Sequence, residues 1–449
     1  MSPSLPHPDS FTFGPSTLTS QKGQSSWRIP CLSNPIPHRL QRKIRSRLRA
    51  RQSPASSITA LQTSFSPYQS LRALRKHKWS IYDAQFLFLI ILAVFSLCIT
   101  PTPGPIEKTA AVALLILLLL MPATRQFFLP FLPIGTWLLF FFSCRFIAAE
   151  YRPPIWVRVL PALENIFYGA NLSNILSAHQ HVVLDVLAWL PYGITHFGAP
   201  FVCSAVFFIF GAPGTTPVFA RTFGFMNITG VLIQILFPCS PPWYENMYGL
   251  APANYSMEGS PAGLARIDRL FGFDLYTSNF TASPLVFGAF PSLHSGNAVL
   301  QALFMSHLFP KLRPLFIAYA MWLWWATMYL SHHYAVDLVG GGLIAAAFFY
   351  YSKANFLPRQ QPDKKLRWDY DYVEVGEAPE NMGNYEYGLA DLDRFGHARG
   401  SSDEWTMGSS SSVSSGSRSP ATEDAGSVWD GETLASDGEK DVESFKNVR

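Results

Sequence analysis

Charge is scarce in this chain. Only 14% of its 449 residues are Asp, Glu, Lys or Arg, whereas 49% are hydrophobic. So little charge cannot clothe several soluble domains, and the apolar residues gather in long runs. Cysteine is scarce too. Cys31, Cys98, Cys144, Cys203 and Cys239 have no metal-ligand spacing, and most sit in apolar runs where a buried free thiol is the ordinary state. Neither a disulfide framework nor a zinc site is expected. No apolar segment follows Met1, so the first span should act as an uncleaved anchor rather than a signal peptide.

What is present is a series of apolar runs. Candidate spans lie at 81–101, 109–123, 126–148, 183–211, 219–238, 295–310, 312–330 and 336–354. Their lengths predict an all-α, polytopic transmembrane helix bundle of about 6–8 spans occupying residues 80–355. The 109–123 run is short, and 183–195 reads equally as an interfacial helix. Residues 1–79 are rich in Ser, Pro and Arg, and residues 356–449 are acidic and Ser-rich. Both are expected to be disordered flanks. The basic run Arg39 to Arg51 reads as a positive-inside tail touching anionic lipid, and no nucleic-acid partner is expected.

Eight spans return both termini to one side. Arg125, Arg221, Lys311, Arg313, Lys353 and Arg359 fall on that side, which marks it as cytosolic. Residues 102–108, 149–182 and 239–294 then face the lumen, where sequons at Asn171, Asn254 and Asn279 can be used. A further sequon at Asn227 lies inside a span and should be silent. The 239–294 loop is too long and too aromatic to be a mere connection.

Chemistry concentrates at two places. His294 follows Pro291-Ser292-Leu293 at the start of one apolar run, and His333 stands four residues before Asp337 at the start of another. The runs 295–310 and 312–330 between them cross down and back, which returns both histidines to the same membrane face. At i and i+4 on a helix, Asp337 can accept the Nδ1–H of His333, which leaves Nε2 free to attack. Ser292 is a natural N-cap, and a helix N-terminus suits a phosphate, with His294 placed to protonate a leaving alkoxide. A carboxylate inside a span is functional by default. Metal binding competes for a His/His/Asp set, but no second carboxylate cluster completes a ligand set, and none is expected. His332 should point about 100° away from His333 as a packed residue. His181 and His196 read as structural or lining groups, and Gly340-Gly341-Gly342 as a close helix contact. A transporter with a His/Asp proton relay is the rival from another class. It is disfavoured because no further intramembrane charges and no inverted repeat are read in the spans.

Pro291-Ser292-Leu293-His294 resembles the P-S-x-H signature of the type 2 phosphatidic acid phosphatase superfamily, and His333-x-x-x-Asp337 is similar to the end of its third signature. The runs Cys239 to Glu245, Pro191 to Pro200, Phe290 to Gly296 and Ser331 to Asp337 resemble the fungal inositol phosphorylceramide synthases, over roughly 80–355. The resemblance implies a multi-pass Golgi enzyme with a lumenal site. Such an enzyme moves inositol phosphate from phosphatidylinositol to ceramide and releases diacylglycerol, with a small membrane partner subunit and no cofactor. It implies that His333 is the nucleophile, Asp337 its orienter and His294 the acid and base. A lipid phosphate phosphatase on the same scaffold is the alternative. The superfamily's first signature is not found, and Ala326-Thr327 stand where the third begins with Ser-Arg. The cations for the phosphate are thus sought by location, at Arg266 and Arg269, with Ser292 and Ser295 as further phosphate-binding candidates.

Overall fold

The computed structural model describes residues 59–77, 79–361, 363–370, 373 and 375. Among these the regular structure is helical, with isolated bridges in place of a sheet. The helices run α1 Pro67–Lys76, α2 Ala84–Ile99, α3 Pro105–Leu120, α4 Pro122–Ser143, α5 Val159–Tyr168, α6 Leu172–Ala178 and α7 Val182–Phe210. They continue as α8 Thr215–Leu236, α9 Pro242–Tyr248, α10 Leu264–Phe271, α11 Tyr276–Thr281, α12 Leu293–Leu308, α13 Arg313–Tyr329 and α14 Ala335–Asn355. Five helical segments are long and apolar enough to cross a membrane: Ile81–Ile99, Pro122–Phe146, Val182–Phe210, Thr215–Leu236 and Ala335–Asn355. The apolar helices α3, α12 and α13 are shorter, at 16, 16 and 17 residues. The chain is a polytopic helix bundle.

Burial sorts these helices by role. Helix α8 is the central post: it packs against α4 along its length and also meets α12 and α14. It buries Arg221, Asn227 and Gln234 among apolar neighbours, and Asn227 donates to the Asn297 carboxamide at 2.9 Å. That sequon is therefore sealed inside the bundle. Helices α2 and α3 instead expose Leu87, Ile90, Ile91, Leu114 and Ile116, which suits lipid rather than water. Helix α14 closes on α12 through its glycines. A Cβ on Gly341 would overlap the Ser292 carbonyl oxygen, and one on Gly340 would stand 2.6 Å from the Phe290 ring. The Gly340–Gly342 run is a close helix contact, as the sequence suggested.

Helix α7 changes phase midway. Leu190–Thr195 is a π-helical turn in which the His196 N–H reaches back five residues to the Pro191 carbonyl. Pro191 lacks an N–H and its ring crowds the preceding turn, so one wide turn accommodates what a regular helix would not. The apolar run 183–211 is one continuous helix with this single irregularity.

The flanks are ordered nearer the bundle than expected. Within the N-terminal region read as disordered, α1 is a helix, the Gln62 N–H donates to Gln126 at 3.1 Å, and the buried Arg125 donates to Ser70 at 3.1 Å. Beyond residue 355, Phe356, Leu357 and Val373 join the core formed by Phe304, Leu308 and Phe349. The remainder of both flanks, including Arg39 to Arg51 and the Ser-rich tail, lies outside the described residues, as does Cys31. Of the described cysteines, Cys98, Cys144, Cys203 and Cys239 are unpaired.

The opposite end of the bundle carries the connections 144–181 and 237–292, which are laced together. The Trp156 N–H donates to the Pro238 carbonyl at 2.8 Å, and the Ala289 N–H to the Cys239 carbonyl at 3.3 Å. Cys239 bridges to Trp156 on one side and to Gly288 on the other. These pairings fix the segment that leads into His294.

Candidate active site

His294, His333 and Asp337 come together at that laced end. Nδ1 of His294 lies 3.0 Å from Nε2 of His333, and Nδ1 of His333 lies 3.1 Å from Oδ1 of Asp337. The second contact is short but lacks the alignment of a hydrogen bond, since both atoms are buried without a bonded partner. Asp337 is fully buried, and its other oxygen accepts the Tyr334 N–H at 3.0 Å. If His333 keeps its proton on Nδ1, toward the carboxylate, then Nε2 accepts from the Nδ1–H of His294. The resting pair is a donor and an acceptor already in contact.

The i, i+4 contact forms although His333 is not itself helical. It precedes α14, with Tyr334 as the N-cap residue. The turn that carries it starts at Ser331, whose φ of 61° is left-handed for a non-glycine residue. The N–H groups of both His332 and His333 fall on the Thr327 carbonyl, and Ser331 accepts the Trp243 N–H at 2.9 Å. The expectation for His332 changes accordingly. With no helix to rotate it away, its ring faces the same cavity as His294 and His333. Its Nε2–H donates to the Pro261 carbonyl at 3.1 Å. Burial, and then the charge that His333 can carry, pull its pKa down to about 3, so it is neutral.

Glu164, Tyr192 and Glu245 are positioning groups that escaped the sequence. Glu164 of α5, fully buried, accepts the N–H groups of Ala335 and Val336 at 3.1 Å each, closing the first turn of α14. Burial pushes its carboxyl above the usual carboxylate range, and those two N–H groups oppose the rise. Tyr192 and His196 flank His294, with ring centroids at 4.7 and 4.6 Å. The Tyr192 hydroxyl is buried without a partner, and Tyr192 lines the histidine cavity. His196, read from sequence as a structural or lining group, thus packs directly against a site histidine, with the rings tilted by 44°. Glu245 adds a further tie by accepting the Tyr334 hydroxyl at 2.9 Å and the Asn171 amide at 2.8 Å. The Asn171 sequon is therefore engaged in structure.

The phosphate-binding candidates do not converge. Ser292 caps α12 by accepting the Ser295 N–H at 3.2 Å, and its own N–H donates to the Asp337 carbonyl at 3.1 Å. The Ser295 hydroxyl donates to the Leu338 carbonyl at 2.5 Å. Both serines are fully buried and neither lines the cavity, so they clamp α12 to α14 instead of facing a ligand. Arg266 is committed elsewhere: its Nη2 and Nε donate to Asp185 at 2.7 and 2.9 Å, and Tyr329 donates to the same carboxylate at 2.8 Å. Burial works against its charge, but Asp185 prevails and holds the guanidinium above its ordinary pKa. Arg269 is exposed and, among the described residues, donates only to Ala265, one turn back in its own helix.

The histidines open into a cavity of about 200 Å³, whose walls include Gln234, Trp243, Phe280 and Leu285. It adjoins a second of about 230 Å³ through the shared residues Gln234, Ser283, Leu285 and Val286. The second cavity holds Arg145 and Arg152, neither of which sequence reasoning singled out. Burial pushes the nearby Cys239 thiol up to about 12, with Asp337 adding to the rise, which makes it inert packing.

Comparison with known proteins places the region that holds these residues in a family. A match to the PAP2 superfamily spans residues 155–351, from just before α5 into α14. The chain is 55% identical over 313 residues to the inositol phosphorylceramide synthase catalytic subunit of Schizosaccharomyces pombe, covering 70% of this chain and 74% of that one. It is 47% identical over 322 residues to the inositol phosphorylceramide synthase of Candida albicans, covering 72% and 68%. The catalytic subunit of Saccharomyces cerevisiae is 47% identical over 322 residues, covering 72% and 80%. No solved structure matches significantly. With the histidines, the carboxylate and the helices that hold them all inside the matched region, the chain belongs to the inositol phosphorylceramide synthase family of the PAP2 superfamily.

Proposed function

We propose that the chain transfers inositol phosphate from phosphatidylinositol to the primary hydroxyl of ceramide, releasing diacylglycerol, by double displacement through His333. The observation that carries this reading is the relay Asp337–His333–His294, with contacts of 3.1 and 3.0 Å, in a member of this family. In the first half-reaction, Nε2 of His333 forms a bond to phosphorus and the bond from phosphorus to the diacylglycerol oxygen breaks. His294, entering the step as the imidazolium, gives one proton to that oxygen and becomes neutral, and Asp337 stabilises the positive charge on His333. In the second, His294 takes the proton of the ceramide hydroxyl as that oxygen bonds to phosphorus. The P–N bond then breaks and returns its electron pair to Nε2. For the phosphorus to reach Nε2, the resting contact between the two imidazoles must open. No metal or organic cofactor is part of this scheme.

The membrane setting completes the proposal: a multi-pass Golgi protein with a lumenal site, both termini cytosolic, and a small membrane regulatory subunit as partner. The basic residues on the tail side and the clustering of the site loops at the other end support that orientation. The test uses headgroup-labelled phosphatidylinositol without ceramide, quenched in base. Label should remain on the protein, be released by acid, and be lost in His333→Ala. Ceramide-dependent transfer by a His333→Ala enzyme at near-parent rate would refute the covalent route. Release of inositol phosphate to water, regardless of ceramide, would make the chain a phosphodiester hydrolase on this scaffold and not a transferase.

A further inference from the structure

The cavity beside the histidines is polar where the histidine cavity is mostly apolar. Two guanidiniums and a carboxylate reach it, from Arg145, Arg152 and Glu258. Both arginines are held in place by backbone carbonyls. The Arg152 Nε and Nη2 donate to Ile147 at 3.0 Å and Cys144 at 2.7 Å, while its guanidinium stacks 4.8 Å from the Tyr255 ring centre. The Arg145 Nη2 donates to Ala282 at 2.5 Å. Each keeps further N–H groups unspent. Glu258 is exposed and has no hydrogen-bond or ionic partner among the described residues. Between the two cavities stands Gln234, whose amide nitrogen donates to the Pro291 carbonyl at 3.0 Å. This single contact ties the partition to the segment that carries His294.

We infer that this second cavity is the headgroup subsite, where Arg145, Arg152 and Glu258 hold the hydroxyls of a polyol whose phosphate lies at His294 and His333. The inference rests on the proposed transferase reading and adds where donor specificity resides. A ring of vicinal hydroxyls needs donors and acceptors at fixed places. Guanidinium forks supply the former, and a carboxylate with a carboxamide oxygen the latter. Two positive charges against one negative also disfavour cationic headgroups such as choline or ethanolamine, which would meet guanidiniums in a confined space. The alternative use of the arginines, to clamp the phosphate itself, is less apt. Both are pinned to the 144–152 turn and the Ala282 carbonyl, and neither lines the cavity that holds the three histidines.

The test is steady-state kinetics of the full chain with Arg152→Gln, Arg145→Gln and Glu258→Gln, varying phosphatidylinositol and ceramide separately, with glycerophosphoinositol as a soluble competitor. Loss of one well-placed charged hydrogen bond should raise the KM for phosphatidylinositol about tenfold and weaken the competitor equally. The KM for ceramide and kcat should stay within about twofold. Because Arg152 also braces its own turn, Glu258→Gln is the arbiter: its side chain is exposed and braces nothing. A donor KM and competitor affinity unchanged in Glu258→Gln, in an enzyme whose parent form transfers to ceramide, would overturn the subsite. So would a loss in kcat alone with donor KM unmoved, which is the signature of a phosphate clamp. If the parent chain itself fails to transfer to ceramide, the transferase reading falls and takes the subsite with it.

Discussion

Glu164 offers the sharpest test of how the site is held. It lies 169 residues before His333 in the chain, yet its carboxylate accepts the first two N–H groups of α14, each at 3.1 Å, in a fully buried position. Hydrogen bonds to a charged acceptor contribute about 1.5–3 kcal/mol each, so two amount to roughly 3–6 kcal/mol. Burying the carboxylate offsets part of this, so Glu164→Ala should cost about 2–4 kcal/mol. Glu164→Gln keeps one acceptor but turns an amide N–H₂ toward the other backbone N–H, and should lose about half as much. Function should suffer beyond stability, since the turn that frays carries Asp337 as its third residue. The assay pairs thermal melting in detergent with kcat and both KM values. We expect a lower melting midpoint, a kcat reduced about tenfold or more in the Ala variant, and nearly constant KM values. A Glu164→Ala enzyme that melts with the parent and turns over within about twofold would show that the carboxylate does not hold the helix.

The remaining predictions concern the relay and its surroundings. Asp337→Asn should retain the fold but favour the wrong imidazole tautomer, lowering kcat by about 10²–10⁴, as kinetics of the purified variant will show. His294→Ala should lose a similar factor, about 10²–10⁴, and should stall before the covalent state, so no label should accumulate on the protein. Activity should survive EDTA, and a loss restored by one specific divalent ion would point to a metal mechanism instead. In sealed vesicles, a protease should spare a tag placed in the 239–294 loop until detergent is added, and cleavage without detergent would reverse the proposed orientation.

Much of this architecture is local information, and local information is legible. Long apolar runs gave the helices of the bundle, and the spacing of His333 and Asp337 gave their contact. The parity of spans brought His294 to the same end. What the chain order hid is whatever depends on distant partners. Arg266 looked available for a phosphate because Asp185, 81 residues earlier, cannot be assigned to it by spacing. Ser292 and Ser295 looked like ligands because a serine at a helix start serves equally as a cap or as a clamp on a neighbouring helix. His332 is packed as expected but faces another way, because the expectation ran a helix through it, whereas α13 ends at Tyr329 and α14 begins only at Ala335. Arg145 and Arg152 lie in a connection with no periodic signal, and only the folding of residues 255–287 beside them gives their position meaning.

The wide turn at Leu190–Thr195 also makes this helix unusually sensitive to length. One surplus residue advances everything downstream by about 100°, so the two halves of α7 present faces that no uninterrupted helix could offer together. The N-terminal half can then keep Asp185 on Arg266 while the C-terminal half keeps His196 against His294. Removing a single residue from the turn would restore ordinary helical geometry and rotate one contact out of reach of the other. Substitutions in this stretch should therefore be graded by side chain, whereas a one-residue deletion should act as an all-or-none change, uncoupling the two ends of the helix.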